Sequence, residues 1–165
     1  GIACLRDLVA LEDQGARRTA SFLDLGYPST VDLAPEITVS VAKTVIAHLA
    51  SAEVEAIFLE LGDGILGQYG VMDVLTDPEI RAATQAHLLC ASDPVGAWGA
   101  HRYLTEHGVD VDVFSGPVTD NEVGVGCISR EVGRPAINAY RSPGEVGRVV
   151  LERLGLLREV RPPRT

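Results

Sequence analysis

The amino-acid sequence predicts an α/β fold: a three-layer, mostly parallel sheet of about five strands with helices on both faces. Short apolar runs alternate along the chain with longer amphipathic segments. The runs are continuously apolar, which is typical of strands that helices cover on both faces. Short connections between these segments imply right-handed crossovers between parallel strands. We therefore expect one domain over residues 1–157, followed by a flexible tail at residues 158–165.

Periodicity and cap signals define the order of the elements. The predicted helices span residues 5–14, 35–50, 78–84, 94–107, 121–131 and 143–154, and the predicted strands span residues 20–25, 55–61, 87–91, 111–115 and 136–139. Asp77 and Asp93 each precede a proline, so a capping carboxylate stands before a proline at the first helical position. Ser142 and Pro143 give the last helix a similar start. These local signals support the alternation of helices and strands.

Charge and composition exclude several classes of partner. The net charge is −9 and no basic stripe offsets it, so we expect no nucleic-acid partner. No apolar run approaches the length of a membrane span, so we expect no membrane partner. Cys4, Cys90 and Cys127 form neither a metal-binding pattern nor a disulfide framework. They predict free thiols in a reducing, cytoplasmic compartment.

Acidic residues stand near the carboxyl ends of two similar predicted strands. Residues 22–26 read FLDLG and residues 58–62 read FLELG, which places Asp24 and Glu60 at matching positions. In an open parallel sheet the carboxyl ends of the strands form one edge, where ligands bind. We predict that Asp24 and Glu60 are catalytic and hold Mg²⁺ there, and that Asp93 binds the cofactor at the same edge. The alternatives are a structural ion pair for the first two acids and a helix cap for Asp93.

A glycine-rich segment follows the second acidic strand. Residues 62–67 match the pattern G-x-G-x-x-G, in which glycines let the backbone approach a pyrophosphate at a helix start. Gly62, Asp63 and Gly64 are therefore candidate cofactor-binding residues. The chain has 17 glycines, so the pattern also fits a chance match. A dinucleotide-binding module remains an alternative on this ground.

Two further groups of polar residues are candidates for ligand binding. Tyr27, Ser29 and Thr30 follow the first acidic strand, and their hydroxyls suit an anion or a substrate, although a proline with Ser and Thr also forms a simple turn. Asn121 and Asn138 stand at predicted strand ends. Their amides suit recognition of a base, or equally a helix cap or a turn.

Three short motifs resemble the P-loop NTPases of the dethiobiotin synthetase and MobB-like group. Residues 60–64 read ELGDG, similar to the acidic strand end E-G-A-G-G of that family. Residues 113–121 read VFSGPVTDN, similar to its V-x-G-V-x-x-N stretch, and residues 133–139 read GRPAINA, similar to its G-x-P-V-L-G strand. The resemblance covers most of the chain from residue 56 onward.

The resemblance implies a nucleotide-dependent enzyme of the ligase or transferase type, with ATP or another nucleotide and Mg²⁺ as cofactors. Glu60 would help to hold Mg²⁺, and Asp120 or Asn121 would lie near the base. The segment from Asp24 to Thr30 is similar to the loop on the substrate side in that group, which implies a small-molecule substrate.

The phosphate-binding loop of that family does not occur in the sequence. No G-x-x-x-x-G-K-[ST] motif is present, and the chain begins at Gly1 with a helix. We expect that a first strand–loop–helix unit is missing, of about 35–45 residues by the size of a βαβ unit. The chain alone should then bind ATP weakly and hydrolyse none, and it should be marginally stable or self-associate, for instance as a homodimer. Three hypotheses stay open: a nucleotide-dependent enzyme, a module binding NAD(P) or flavin, and a non-catalytic regulatory or subunit-interaction domain.

Overall fold

The structure, a computed structural model, describes residues 4–157, and most of the regular elements in this part are helical. The α-helices are Leu5–Asp13 (α1), Pro35–Ala50 (α2), Val71–Thr76 (α3), Pro78–Ala83 (α4), Pro94–Glu106 (α5), Glu122–Glu131 (α6) and Pro143–Arg153 (α7). Short 3-10 helices span Phe22–Leu25 and Pro117–Thr119. The strands are Leu88–Cys90 (β1) and Val113–Ser115 (β2). None of the described helices is both long and apolar enough to cross a membrane.

The predicted three-layer sheet of about five strands is wrong. Within residues 4–157 the structure has one sheet of two parallel strands, β1 and β2, extended by a parallel bridge between Phe114 and Ala136. The six predicted helices are confirmed within one or two residues at their ends, and α3 was not predicted. The predicted tail at residues 158–165 lies outside the described residues. The chain divides into two compact units, Gly1–Arg81 (unit 1) and Ala82–Thr165 (unit 2).

Unit 1 is organised around α2, whose apolar residues recur at helical spacing. Its core consists of Ala42, Val74 and Ile80, which come from α2, α3 and α4. Leu61 and Ile46 pack against this cluster and are partly buried. Helix packing therefore forms the core of unit 1 without a sheet.

The predicted strand at residues 20–25 is a 3-10 helix because its flanking residues cap a helical turn. Ser21 Oγ accepts a hydrogen bond from the backbone N–H of Leu23 at 3.2 Å, and the backbone N–H of Ser21 donates to Asp24 Oδ2 at 2.7 Å. These reciprocal bonds form a capping box, which satisfies the donors of a helix start. Gly26 ends the turn in the left-handed conformation, with φ 85°. The capping chemistry outweighs the strand preference of the short apolar run.

The predicted strand at residues 55–61 is wrong for a second reason. The segment has no regular secondary structure, and Phe58 is 73% exposed while Leu61 packs on the core. A strand needs a neighbour to accept its backbone hydrogen bonds. The other strand predicted in unit 1, residues 20–25, is helical and offers no partner. Without that partner the apolar run does not form a strand.

Unit 2 repeats a strand followed by a helix, as the sequence predicts for residues 87–154. β1 pairs with β2 in parallel register, and α5 connects them. The backbone N–H of Ile137 donates to the carbonyl of Phe114 at 2.9 Å, which places residues 135–137 along the other side of β2. A core of Val113, Ile137, Val146 and Val150 joins β2 to α7. The predicted strand at residues 136–139 is thus reduced to a single bridge.

Gly116 allows the loops after β1 and β2 to approach each other. Its φ is 83°, which a side chain disfavours. A Cβ at this position would lie 3.0 Å from the carbonyl oxygen of Ala91. The backbone N–H of Val118 then donates to that same oxygen at 3.0 Å. The glycine therefore fixes the path of residues 116–121, which lead into α6.

Candidate functional site

Three chain segments converge where the parallel strands of unit 2 end. Residues 91–93 follow β1, residues 116–121 follow β2, and residues 138–142 follow the bridge at Ala136. We call this region the carboxyl edge of unit 2. Because the strands are parallel, their following loops meet on one side of the sheet, and open α/β sheets bind ligands on that side.

Asn138 is the centre of a hydrogen-bond network at the carboxyl edge. Its Nδ2 donates to Asp120 Oδ1 at 2.9 Å and to the carbonyl of Thr119 at 3.3 Å. Its Oδ1 accepts from the backbone N–H groups of Tyr140 at 3.1 Å and Arg141 at 2.8 Å. A primary amide has two donors and two main acceptor sites, so the Asn138 amide is saturated. It therefore holds the neighbouring loops together and has no capacity left for a ligand.

Asp120 is held from two sides. Asn138 donates to its Oδ1, and Arg141 Nη1 donates to its backbone carbonyl at 2.9 Å. No donor among residues 4–157 binds its Oδ2. The side chain is nevertheless exposed. The carboxylate is thus fixed in orientation and presents one oxygen to the solvent.

Tyr140 presents an aromatic ring at the same edge. It lies between Asn138 and Arg141 in the chain and is 96% exposed. An exposed aromatic ring suits stacking against a flat heterocycle. Its backbone is anchored by the bond to Asn138, so the ring is attached to an ordered turn.

The helix starts at the carboxyl edge differ in their capping. Asp93 Oδ1 accepts from the backbone N–H of Gly96 at 2.9 Å, and Asn121 Oδ1 accepts from Gly124 at 3.0 Å. These bonds cap α5 and α6, as the cap alternative for both residues predicted. Ser142 precedes α7 and makes no side-chain cap bond. The N–H groups at the start of α7 therefore have no side-chain acceptor at their cap position.

The predicted substrate residues of unit 1 take part in local structure. Thr30 is buried, with 8% of its surface exposed, and Ser29 Oγ accepts from the backbone N–H of Val31 at 3.1 Å. Tyr27 is half-buried, and its backbone N–H donates to Phe22. These bonds describe a turn, and a role in substrate binding stays a prediction.

The predicted metal ligands Asp24 and Glu60 are not at a sheet edge. Asp24 uses Oδ2 in the capping box, and Glu60 is exposed in an irregular segment. Within residues 4–157 no three or more His, Cys, Asp or Glu side chains form a group that could hold a metal ion. Binding of Mg²⁺ by Asp24 and Glu60 stays a prediction.

The glycine-rich segment of unit 1 lacks the context of a dinucleotide fingerprint. Residues 62–67 follow an irregular segment and lead into further turns, and the next helix begins at Val71. The fingerprint needs a strand before the glycines and a helix start within them. Asp63 and Gly64 have φ values of 67° and 95°, typical of successive turn residues. Cofactor binding by Gly62, Asp63 and Gly64 stays a prediction.

Unit 1 also has an open groove of about 770 Å³ between α2 and α3. The ammonium of Lys43 lies in it, 2.8 Å from Glu79 Oε2 and 3.0 Å from Asp77 Oδ2. Hydrogen bonds to these carboxylates raise the pKa of Lys43, and the bond to Glu79 has the largest effect. The backbone N–H of Ile80 and then the Lys43 ammonium lower the pKa of Asp77. The single lysine of the chain is therefore a protonated structural residue and not a candidate nucleophile.

Unit 2 is a small α/β unit in which the loops after its parallel strands meet at one edge. No protein-family model, curated protein or solved structure matches the chain. The sequence indicated Asp120, Asn121 and Asn138 as candidates, whereas Arg141 was not singled out. Its contact with Asp120 spans 21 residues, and only the folded chain brings the two together.

Proposed function

We propose that unit 2 binds a nucleotide at its carboxyl edge. The network of Asp120, Asn138 and Arg141 is the observation that supports this proposal best. It orders a carboxylate, a guanidinium and the backbone of Tyr140 within residues 120–141, at the side of the sheet where α/β folds bind ligands. A site of this kind needs few polar groups, provided that they are held in place.

The phosphates of the nucleotide would lie toward Arg141 and the start of α7. The side chains of Asp93 and Asn121 already occupy the starts of α5 and α6. The start of α7 has no side-chain cap, and its helix dipole favours a negative charge. Arg141 immediately precedes this start and adds a positive charge.

The heterocycle would lie on the ring of Tyr140, with Asp120 at its edge. Stacking of a base on an aromatic side chain contributes about 1–3 kcal/mol in single-stranded nucleic-acid complexes. Mg²⁺ is part of the proposal as the counter-ion of the phosphates, because the chain has a net charge of −9. A small-molecule substrate and a ligase or transferase reaction remain predictions from the family resemblance. A cytoplasmic location is also proposed, because three widely spaced cysteines without a disulfide framework are typical of a reducing compartment.

Calorimetry with the full chain tests the proposal. We expect Mg-ATP or Mg-GTP to bind, and Arg141→Ala to weaken that binding about tenfold or more, because a hydrogen bond to a charged group contributes about 1.5–3 kcal/mol. Arg148→Ala is the matched control, since Arg148 is exposed on α7 and pairs with Glu152 one turn further along. The fluorescence of Trp98, the one tryptophan, verifies that each variant keeps unit 2 folded.

Two results would contradict the proposal. One is the absence of heat for every nucleotide, and the other is an equal loss of affinity in Arg141→Ala and Arg148→Ala. NAD binding that disappears in Gly64→Val would instead support the dinucleotide alternative at residues 62–67.

A further inference from the structure

The groove between α2 and α3 in unit 1 has the size of a small-molecule site. Its volume of about 770 Å³ lies within the range of about 300–1,000 Å³ that is typical of such sites. A Cβ at Gly70 would overlap the side chain of Thr38, and Asp77 binds Lys43, so α3 runs beside α2 in the same direction. Residues 35–47 of α2 line the groove, which gives it a length of about 18 Å.

Two carboxylates of the groove have no partner among residues 4–157. Glu36 is exposed in the first turn of α2, and Asp73 is half-buried in the first turn of α3. Neither makes a hydrogen bond or an ion pair with a described group. The helix dipole favours a negative charge at both positions, but it leaves the carboxylate oxygens able to accept hydrogen bonds. Asp77, the third acid of the lining, is occupied by Lys43 and by two backbone N–H groups of α4.

The threonine hydroxyls of the groove add further acceptors. Thr44 Oγ1 donates to the carbonyl of Ser40 at 2.8 Å, and Thr76 Oγ1 donates to the carbonyl of Met72 at 2.7 Å. Because a hydroxyl has one proton, these two oxygens can offer a ligand only their lone pairs. Lys43, the cation of the lining, already binds two carboxylates. The groove therefore presents negative charge and acceptors, and little capacity to donate.

Apolar carbon lies between these polar groups. Val39 and Ala47 line the groove one helical turn before and after Lys43, on the same face of α2. A complementary ligand therefore has N–H donors and positive charge at intervals, with aliphatic carbon between them. An ammonium group has three donors and no acceptor. A linear aliphatic polyamine has this composition, whereas a metal ion lacks the carbon and a nucleotide carries the wrong charge.

We propose that the groove between α2 and α3 binds a linear aliphatic polyamine. Its ammonium groups lie on Glu36 and Asp73, and its methylene chain lies on Val39 and Ala47. Lys43 weakens the binding, because its ammonium repels the cations of the ligand. The site belongs to unit 1 and does not depend on the nucleotide site proposed for unit 2.

Calorimetry with spermidine and the full chain tests the proposal. We expect one saturable site. Asp73→Asn removes the charge of a half-buried carboxylate and keeps its shape, so it should weaken binding about tenfold, the effect of losing a hydrogen bond to a charged group. Glu36→Gln should weaken binding about twofold to fivefold, the range of an exposed ion pair. Asp13→Asn and Glu55→Gln are the matched controls, since both residues are exposed and lie outside the groove, and they should leave the affinity unchanged.

Lys43→Met should change the affinity in the opposite direction. The substitution removes the competing ammonium, so spermidine should bind about twofold to fivefold more tightly. A variant that only loosened the groove would bind more weakly, and that result would contradict the proposal. Circular dichroism verifies that each variant keeps its helices.

Three other results would overturn the proposal. The first is the absence of a saturable heat with spermidine. The second is an equal effect of Asp73→Asn and Asp13→Asn. The third is displacement of spermidine by an equal concentration of Mg²⁺, which would mean that the net charge of −9 attracts any cation without a specific site.

Discussion

Because α6 packs closely on the loop before Asp120, we expect that position 124 tolerates glycine and no larger residue. A Cβ at position 124 would overlap the carbonyl oxygen of Val118 and lie 3.1 Å from its carbonyl carbon. Both atoms belong to the backbone, so the clash cannot be relieved by rotation of a side chain. Overpacking of this kind costs about 1–3 kcal/mol, and the steric conflict with backbone favours the upper end. The higher helix propensity of alanine stabilises the helix by about 1 kcal/mol and offsets part of this cost. We expect Gly124→Ala to destabilise unit 2 by about 2 kcal/mol.

Gly147→Ala is the matched control for this substitution. Gly147 lies inside α7, and a Cβ there would meet no atom within 4 Å. The same change should therefore stabilise unit 2 by about 0.5–1 kcal/mol. The two variants should differ by about 3 kcal/mol although the chemical change is identical.

Urea unfolding followed by the fluorescence of Trp98 measures the difference, because this tryptophan lies in α5 of unit 2. For a small unit whose stability falls by about 1 kcal/mol per molar urea, the midpoint of Gly124→Ala should be about 2 M lower than that of the unmodified chain. Equal midpoints for Gly124→Ala and Gly147→Ala would refute the reasoning. They would mean that α6 does not pack on Val118, and the position of Asp120 would lose its structural basis.

Three further predictions concern caps, core and charge. Asp93→Ala should cost unit 2 about 1 kcal/mol through loss of the α5 cap, while Asp93→Asn keeps most of it, as Trp98 fluorescence in urea can measure. Leu104→Ala, at a fully buried position, should cost about 2–5 kcal/mol, whereas Leu151→Ala, 39% exposed, should cost far less; similar losses would contradict the described core. In unit 1 the pKa of Asp77 is lower than its ordinary value of 3.8, so its ionised carboxylate stabilises the fold at any pH above 3.8. This stabilisation is lost as the pH falls through the lowered pKa. The pKa of Lys43 is higher than its ordinary value of 10.5, so its ammonium stabilises the fold at any pH below 10.5. This stabilisation is lost as the pH rises through the raised pKa. Urea midpoints from circular dichroism should therefore depend less on pH at both extremes in Lys43→Met.

The helices were predictable because their signals are local. Asp93 and Asn121 occur where α5 and α6 begin, and the apolar period of α2 runs over residues that contact one another along one face. The short helix α3 was missed, since its six residues are too few to show a period. Cap and period are properties of neighbouring residues, so the sequence alone contains them.

The strands were predicted less well because a strand exists only with a partner. Residues 20–25 and 55–61 were each expected to be a strand because each contains a short apolar run, and neither has a strand to pair with. The first segment also contained the opposing signal, the capping pair of Ser21 and Asp24 followed by Gly26. In unit 2 the apolar runs of β1 and β2 do have each other as partners, and both strands form.

The correction of the fold changes which acids are candidates for chemistry. The argument for Asp24 and Glu60 depended on burial, because a carboxylate in a buried strand needs a cation or a donor to compensate for lost hydration. Both residues are exposed, and Asp24 already accepts the backbone N–H of its own turn, so burial no longer requires a metal or a ligand. Asp120 is exposed as well, but Asn138 donates to its carboxylate and Arg141 donates to its backbone carbonyl. A fixed carboxylate loses less conformational entropy on binding than a mobile one does. The more strongly supported site therefore lies at Asp120 in unit 2, and nucleotide binding should respond to Asp120→Asn and not to Glu60→Gln.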